Sequence, residues 1–291
     1  MRNRISISDY NADWVYKGTF QVPRGHPGYL TREELVAFYG TLGVEGIEFT
    51  HSYWGDCTAA YAKGLAADAG LPVVCYVFGA DLTRPPDSIQ PAVDDAKRLL
   101  DRTAELGARL CMITPGEVKG GVPLDEQRKW MIDGLRKCAE HALSLGVTAC
   151  IENLDYPPCR PLTGRGSQCH DICAAVDSPG LRLIFDCGAT LLVDEDPVET
   201  FRAMAPYVAH VHVKNSRVLA PVEHPQRFLV SEAGIRYMGS VLDVGALKID
   251  RVVEELGRNE YPGFLLIEYQ GEDDPRPACR QNVDFLRGLL H

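Results

Sequence analysis

Short apolar runs recur along the chain at residues 4–9, 46–51, 72–79, 109–115, 147–153, 182–188, 209–215 and 263–270. Each has the length of a buried strand, and the stretches between them carry apolar residues at helical spacing. Thr31-Arg32-Glu33-Glu34 opens the first helical stretch with a capping box. The second closes at Ala69-Gly70, and the third follows Pro85-Pro86-Asp87 and stops at Leu106-Gly107. The fourth runs from about Leu124 to Leu145-Gly146. Glycine just past the last periodic residue is a helix stop.

Eight strands alternating with eight helices predict a closed (β/α)8 TIM barrel. A doubly wound open sheet is the alternative, because element count does not show closure. No G-x-G-x-x-G follows the first strand, where a dinucleotide-binding sheet would place one. With no linker or composition break, the expectation is one domain over 1–291. One connection is unusually long, from residue 216 to 248. Its Phe228, Leu229, Tyr237, Met238 and Val241 are too apolar for simple disorder. It reads as an extended, ordered loop after strand seven, lying on the barrel mouth.

Composition narrows the partners. Asp plus Glu number 40 against 30 Lys plus Arg, a formal charge of -10, which repels nucleic acid and anionic membranes. No stretch approaches the ~18 apolar residues of a membrane span, and the start has no signal-peptide core, so a cytoplasmic protein is expected. The ten cysteines include no C-x-x-C pair, and Cys75, Cys111, Cys150 and Cys187 fall inside apolar runs. They read as reduced core residues rather than disulfides or a zinc knuckle.

In a parallel barrel the C-terminal strand ends share one mouth, and active sites form there. Strand five ends Cys150-Ile151-Glu152-Asn153, strand six Phe185-Asp186-Cys187-Gly188, strand seven His210-Val211-His212-Val213-Lys214 and strand eight Ile267-Glu268-Tyr269. Four successive strands thus offer Glu152, Asp186, His212 and Glu268. Converging carboxylates repel unless a cation sits among them. Three carboxylates and one imidazole suit a divalent manganese, magnesium, cobalt or zinc ion.

These strand ends, in this order, resemble the xylose isomerase-like TIM barrels. The similarity is strongest to the sugar phosphate isomerase/epimerase group of ketose 3-epimerases, hydroxypyruvate isomerases and inosose dehydratases. Gly43-Val44-Glu45-Gly46-Ile47-Glu48 and Gly271-Glu272-Asp273-Asp274-Pro275-Arg276 match weaker signatures. The resemblance implies one divalent metal, most often Mn2+, on Glu152, Asp186, His212 and Glu268, with Glu152 and Glu268 as the acid/base pair. It further implies a small carbohydrate-like substrate and proton removal beside a metal-polarised carbonyl, followed by isomerisation or epimerisation. A metal-dependent lyase or dehydratase on a keto-inositol or 3-keto-glycoside is the alternative. A catalytically silent barrel serving as a binding or scaffold subunit is the alternative of another class. Assembly as a homo-oligomer is compatible with either.

Two departures touch the substrate side. Many relatives carry a histidine three residues after the strand-six aspartate, where this chain has Ala189. The segment before the seventh helix reads Tyr237-Met238-Gly239-Ser240-Val241-Leu242-Asp243 instead of a proline-glycine-rich run. The three-zinc nuclease branch needs histidines on strands three and four, which end here in Tyr76-Val77-Phe78-Gly79 and Ile113-Thr114-Pro115-Gly116.

Further substrate-binding candidates are His51 and Trp54 after strand two, Lys214, Arg217 and His224. Lys214 either meets a substrate oxygen or pairs with a site carboxylate. Glu48 reads as a hydrogen-bonding support and His210 as a hydrogen-bonded core histidine.

Overall fold

The computed structural model describes residues 3–12, 30–225, 228–271 and 274–290. Their strands, in chain order, are β1 (Arg4–Ser8), β2 (Ile47–Thr50), β3 (Val73–Gly79), β4 (Leu110–Thr114), β5 (Thr148–Glu152) and β6 (Leu181–Asp186). There follow β7 (Val208–Val213), β8 (Asn215–Val218), β9 (Leu229–Val230), β10 (Arg236–Ser240) and β11 (Phe264–Ile267). Eight of them close a parallel barrel in the order β1-β11-β7-β6-β5-β4-β3-β2. The helices are α1 (Arg32–Gly40), α2 (His51–Trp54), α3 (Ala59–Asp68), α4 (Gln90–Leu106), α5 (Leu124–Ser144) and α6 (Arg160–Thr163). They continue with α7 (Gly166–Val176), α8 (Pro197–Met204), α9 (Ile249–Arg258) and α10 (Pro275–Leu289).

Local chemistry sets these boundaries. Thr31 caps α1, its hydroxyl accepting from Glu34 N while the Glu34 carboxylate accepts from Thr31 N. The glycine stops Gly70, Gly107 and Gly146 all adopt positive φ, which a side chain would strain. Along each strand one set of side chains faces the helices and the other fills the barrel. Ile47, Phe49, Phe185, Val211 and Leu265 belong to the large buried cluster under the helices. All ten cysteines are free, and nine are buried. No described helix is long and apolar enough to cross a membrane.

The segment after β7 differs from the expectation. It is not an extended loop: β8, β10 and β9 form a three-stranded antiparallel sheet in that order. Gly234 at φ +81 makes the tight turn between β9 and β10, where its N–H reaches Ser231 O. The Asn215 amide stitches the base, donating to Leu242 O and Leu247 O and accepting from Leu247 N. These strands are too short to show a clear two-residue period.

Candidate active site

At the strand ends, the positions of Asp186 and His212 follow from backbone pairing. They sit side by side in the β6–β7 register, which shifts between Leu183 and Ile184 just before them. Asn153 fixes the β5 end against β6, its amide donating to Asp186 O and its carbonyl accepting from Asp186 N, both at 2.8 Å. In the barrel order β11-β7-β6-β5, Glu268 and Glu152 come from the outer strands and Asp186 and His212 from the inner pair. The two glutamates therefore flank the other two residues. His212 Nδ1 lies 2.7 Å from Glu152 Oε1 and 3.4 Å from Glu268 Oε1. Its Nε2–H donates to Glu48 Oε2 at 3.2 Å.

Lys214 enters from just past the end of β7, two residues beyond His212. Its Nζ lies 2.6 Å from Asp186 Oδ2, 2.7 Å from Asp155 Oδ2 and 3.3 Å from Glu268 Oε2. The stem passes so close to Gly188 that a Cβ there would meet Lys214 Cβ and Cε at 2.9 Å. The other Asp186 oxygen, Oδ1, accepts from Gly188 N at 2.7 Å and Ala189 N at 3.3 Å. One ammonium thus serves three carboxylates, with Glu152 and Glu48 also buried nearby.

The electrostatics follow from burial and from these pairs. Burial pushes the Glu152 carboxyl up, with His212 opposing. Burial likewise raises Asp186 against the pull of Lys214. Glu268 behaves oppositely: burial would raise it, but Lys214 and His212 outweigh burial and hold it below the usual carboxylate range. His212 is raised, since Glu48 and Glu152 outweigh its burial, whereas burial and the adjacent His212 lower His210.

Glu152 and His212 bring buried donor atoms together, with Glu268 alongside. Glu152 Oε1 and His212 Nδ1 are buried and 2.7 Å apart, yet neither atom makes a properly aligned hydrogen bond. Once they give up their protons, these two atoms face each other as lone-pair donors that a cation would join, and the surrounding negative charge exceeds what Lys214 neutralises. Deeper in the barrel, Glu48, His210 and His212 also present ligand atoms within 4.8 Å of one another and could hold a metal ion. His210 is not the hydrogen-bonded core histidine that its sequence position implies. It is buried, but neither ring nitrogen makes a hydrogen bond among the described residues. Its Nε2 is 3.8 Å from Glu48 Oε2.

The remaining sequence candidates are dispersed. Trp54 is 0% exposed, stacked on Phe49 at 4.1 Å, with its indole N–H donating to Asp9 Oδ2 at 2.7 Å. It presents no face to the mouth. His51 Nδ1 lies 2.7 Å from the Tyr76 hydroxyl, which also accepts from Arg102 Nε at 2.9 Å. Arg217 makes a two-pronged ion pair with Glu223, at 2.6 and 3.0 Å. His224 is exposed between β8 and β9.

Of the pocket walls, the sequence points to Phe228 and Tyr237, in the apolar segment over the mouth, but not to Tyr10 or Tyr156. A cavity of about 340 Å³ is lined by Tyr10, Asp155, Tyr156, Phe228, Tyr237 and Gln270, among others. Its Asp155 holds Lys214, and through it the cavity adjoins Asp186 and Glu268. Asp155, three residues after Glu152, was open to detection as another carboxylate just past a strand end. Tyr10 and Tyr156 carry no comparable signal, because they come from segments distant in sequence.

Residues 36–289 match the family model described as xylose isomerase-like TIM barrel. Inosose dehydratase of Geobacillus thermodenitrificans is 23% identical over 268 residues, covering 86% of this chain and 85% of that protein. D-psicose 3-epimerase of Clostridium cellulolyticum superposes with a TM-score of 0.75 at 16% identity, covering 99% of both chains. The 3-keto-D-glucoside 4-epimerase of E. coli superposes at 0.71 with 17% identity, covering 99% of this chain and 100% of that one.

Proposed function

Because the chain belongs to the xylose isomerase-like TIM barrel family, we propose that it is a divalent-metal-dependent isomerase or epimerase of a polyhydroxy carbonyl compound. Glu152, Asp186, His212 and Glu268 would hold the ion, with manganese first and magnesium, cobalt or zinc as other occupants. The observation that carries this reading is the unaligned 2.7 Å approach of buried Glu152 Oε1 and His212 Nδ1, with Glu268 on the opposite side. When bound, such an ion polarises a carbonyl and stabilises the negative charge left when a neighbouring C–H proton departs.

The protein supplies the rest. Glu152 and Glu268 approach from the two flanking strands, so a substrate between them meets a carboxylate on either side. One removes a carbon-bound proton and the other returns one. Asp186 is anchored by two backbone N–H groups and Lys214, which leaves it little freedom to reorient. Lys214 holds Asp155 at the cavity floor, and Tyr10, Tyr156, Phe228 and Tyr237 offer apolar walls for a sugar-like ligand. Elemental analysis of protein purified without chelator tests the site. Close to one ion per chain is expected, and a Glu152→Ala, Asp186→Ala double variant should lose it. Unchanged stoichiometry in the double variant removes the assignment.

A lyase is the second reading, favoured by one feature. Beside the carboxylates stands the Lys214–Asp155 pair, able to deliver a proton to a departing hydroxyl or glycosidic oxygen. Inosose dehydratase among the relatives points the same way. Product analysis by NMR separates the two, since an unsaturated product without an epimer would assign a lyase.

A further inference from the structure

We propose that Glu48 is a positioning residue for His212, fixing the imidazole so that Nδ1 carries the lone pair offered to the metal. The inference rests on the reading of Glu152, Asp186, His212 and Glu268 as metal ligands.

Glu48 is a charged residue in the middle of a barrel strand, 1% exposed. Such a group is retained at a cost of several kcal/mol unless it is paired. Its neighbours in the strand, Ile47 and Phe49, face the helices. The register of β2 with β3 shifts between Ile47 and Glu48. An irregularity of that kind bends a strand and re-aims the next side chain. Here the re-aimed carboxylate reaches across the barrel to β7.

A carboxylate only accepts, so the 3.2 Å bond from His212 Nε2 to Glu48 Oε2 requires the proton to be on Nε2. In a ring with one proton, the lone pair then lies on Nδ1, the atom facing Glu152 and Glu268. A carboxylate on the far nitrogen of a metal-bound histidine sets both tautomer and ring angle, and raises the basicity of the ligating atom. Without Glu48 nothing among these contacts would stop the ring from carrying its proton on Nδ1, where it would repel the ion.

The same oxygen could instead belong to a separate inner centre with His210, and the distances discriminate. Glu48 Oε2 is within hydrogen-bond reach of His212 Nε2 but 3.8 Å from His210 Nε2. Glu48 is committed to His212, and His210 stays outside the bond.

Calorimetric titration of metal-free protein with Mn2+ tests the proposal in wild type, Glu48→Gln, Glu48→Ala and a Glu152→Gln, Asp186→Asn double variant. Long-range 1H–15N NMR of the Mg2+-loaded protein reads the His212 tautomer. Glu48→Ala should weaken Mn2+ binding on the order of 10–100-fold. Glu48→Gln should lose less, because its amide oxygen still accepts and its volume is conserved, which controls for misfolding. Wild type should show the proton on Nε2. Wild-type Mn2+ affinity in Glu48→Ala, with the tautomer unchanged, would overturn the proposal. So would a fall from two bound ions to one, which would make Glu48 a ligand of its own centre. Failure of the underlying site reading looks different: the double variant would then bind Mn2+ as wild type does.

Discussion

The Lys214 ammonium stands 2.6 Å from Asp186 Oδ2, and both groups are buried. A resident cation therefore already offsets part of the negative charge at the strand ends. Removing it takes from Asp186, Asp155 and Glu268 their shared ammonium in a poorly solvated place. Lys214→Met should cost the metal-free protein about 3–5 kcal/mol of stability. Added Mn2+ should then raise its unfolding midpoint more than it raises that of wild type. Urea titrations with and without Mn2+ measure both quantities. Equal metal-free stability of variant and wild type would mean that the three carboxylates do not depend on Lys214.

Gly188 makes room for that lysine. Gly188→Ala would place a methyl at 2.9 Å from the Lys214 stem. The chain must then give, and overpacking of this kind costs about 1–3 kcal/mol. Displacing Lys214 should also weaken Mn2+ binding, since Asp186 and Glu268 lose a common anchor. An alanine variant with wild-type stability and wild-type Mn2+ affinity would show that the lysine can follow another path.

Asp9 links burial to pH. Burial pushes its carboxyl up to about 7, against the hydrogen bonds from Thr50 and Trp54 and with nearby Glu48 adding to the rise. The folded state then holds a proton that the unfolded state has released between roughly pH 4 and 7. Stability should accordingly fall as pH rises through that window and level off above it. Asparagine can replace the protonated acid. Oδ2 already accepts from both Thr50 N and Trp54 Nε1, while Oδ1 faces only the Thr50 hydroxyl, which can turn to accept. Asp9→Asn should flatten the dependence and gain up to about 4 kcal/mol relative to wild type at pH 8. Urea unfolding at pH 5 and pH 8 decides it. A variant less stable than wild type at pH 8 would show Asp9 to be ionised in the fold.

Trp54 separates a wall from a support. Trp54→Phe keeps a ring against Phe49 but deletes the N–H that meets Asp9. A loss of roughly 1–2 kcal/mol is expected for one buried hydrogen bond, with KM for any turned-over sugar unchanged. A raised KM at unchanged stability would return Trp54 to the substrate.

What the sequence showed and hid has a physical division. The barrel was legible because each buried strand is a short apolar run and each helix stop at Gly70, Gly107 and Gly146 uses left-handed backbone. The convergence of Glu152, Asp186, His212 and Glu268 at the strand ends was legible because each polar group follows such a run on successive strands. The sheet of β8, β9 and β10 was not, since two- to five-residue strands carry too little periodicity. Trp54 misled because its position just after β2 does not reveal that the ring turns inward to Asp9. Tyr10 and Tyr156 reach the cavity only through tertiary folding, and nothing in their local sequence announces it.

In the proposed reaction one of Glu152 and Glu268 takes a carbon-bound proton from the substrate and the other returns one, an exchange that solvent deuterium uptake reads. Mn2+-loaded protein in D2O is incubated with ketoses, keto-inositols and 3-keto-glycosides, and the recovered compounds are weighed by mass spectrometry. One deuteron is expected beside the carbonyl of at least one class, with uptake reduced at least about 100-fold in Glu152→Gln or Glu268→Gln. Uptake that survives unchanged in both variants, or none across the panel in a protein that binds its metal and these ligands, would contradict it.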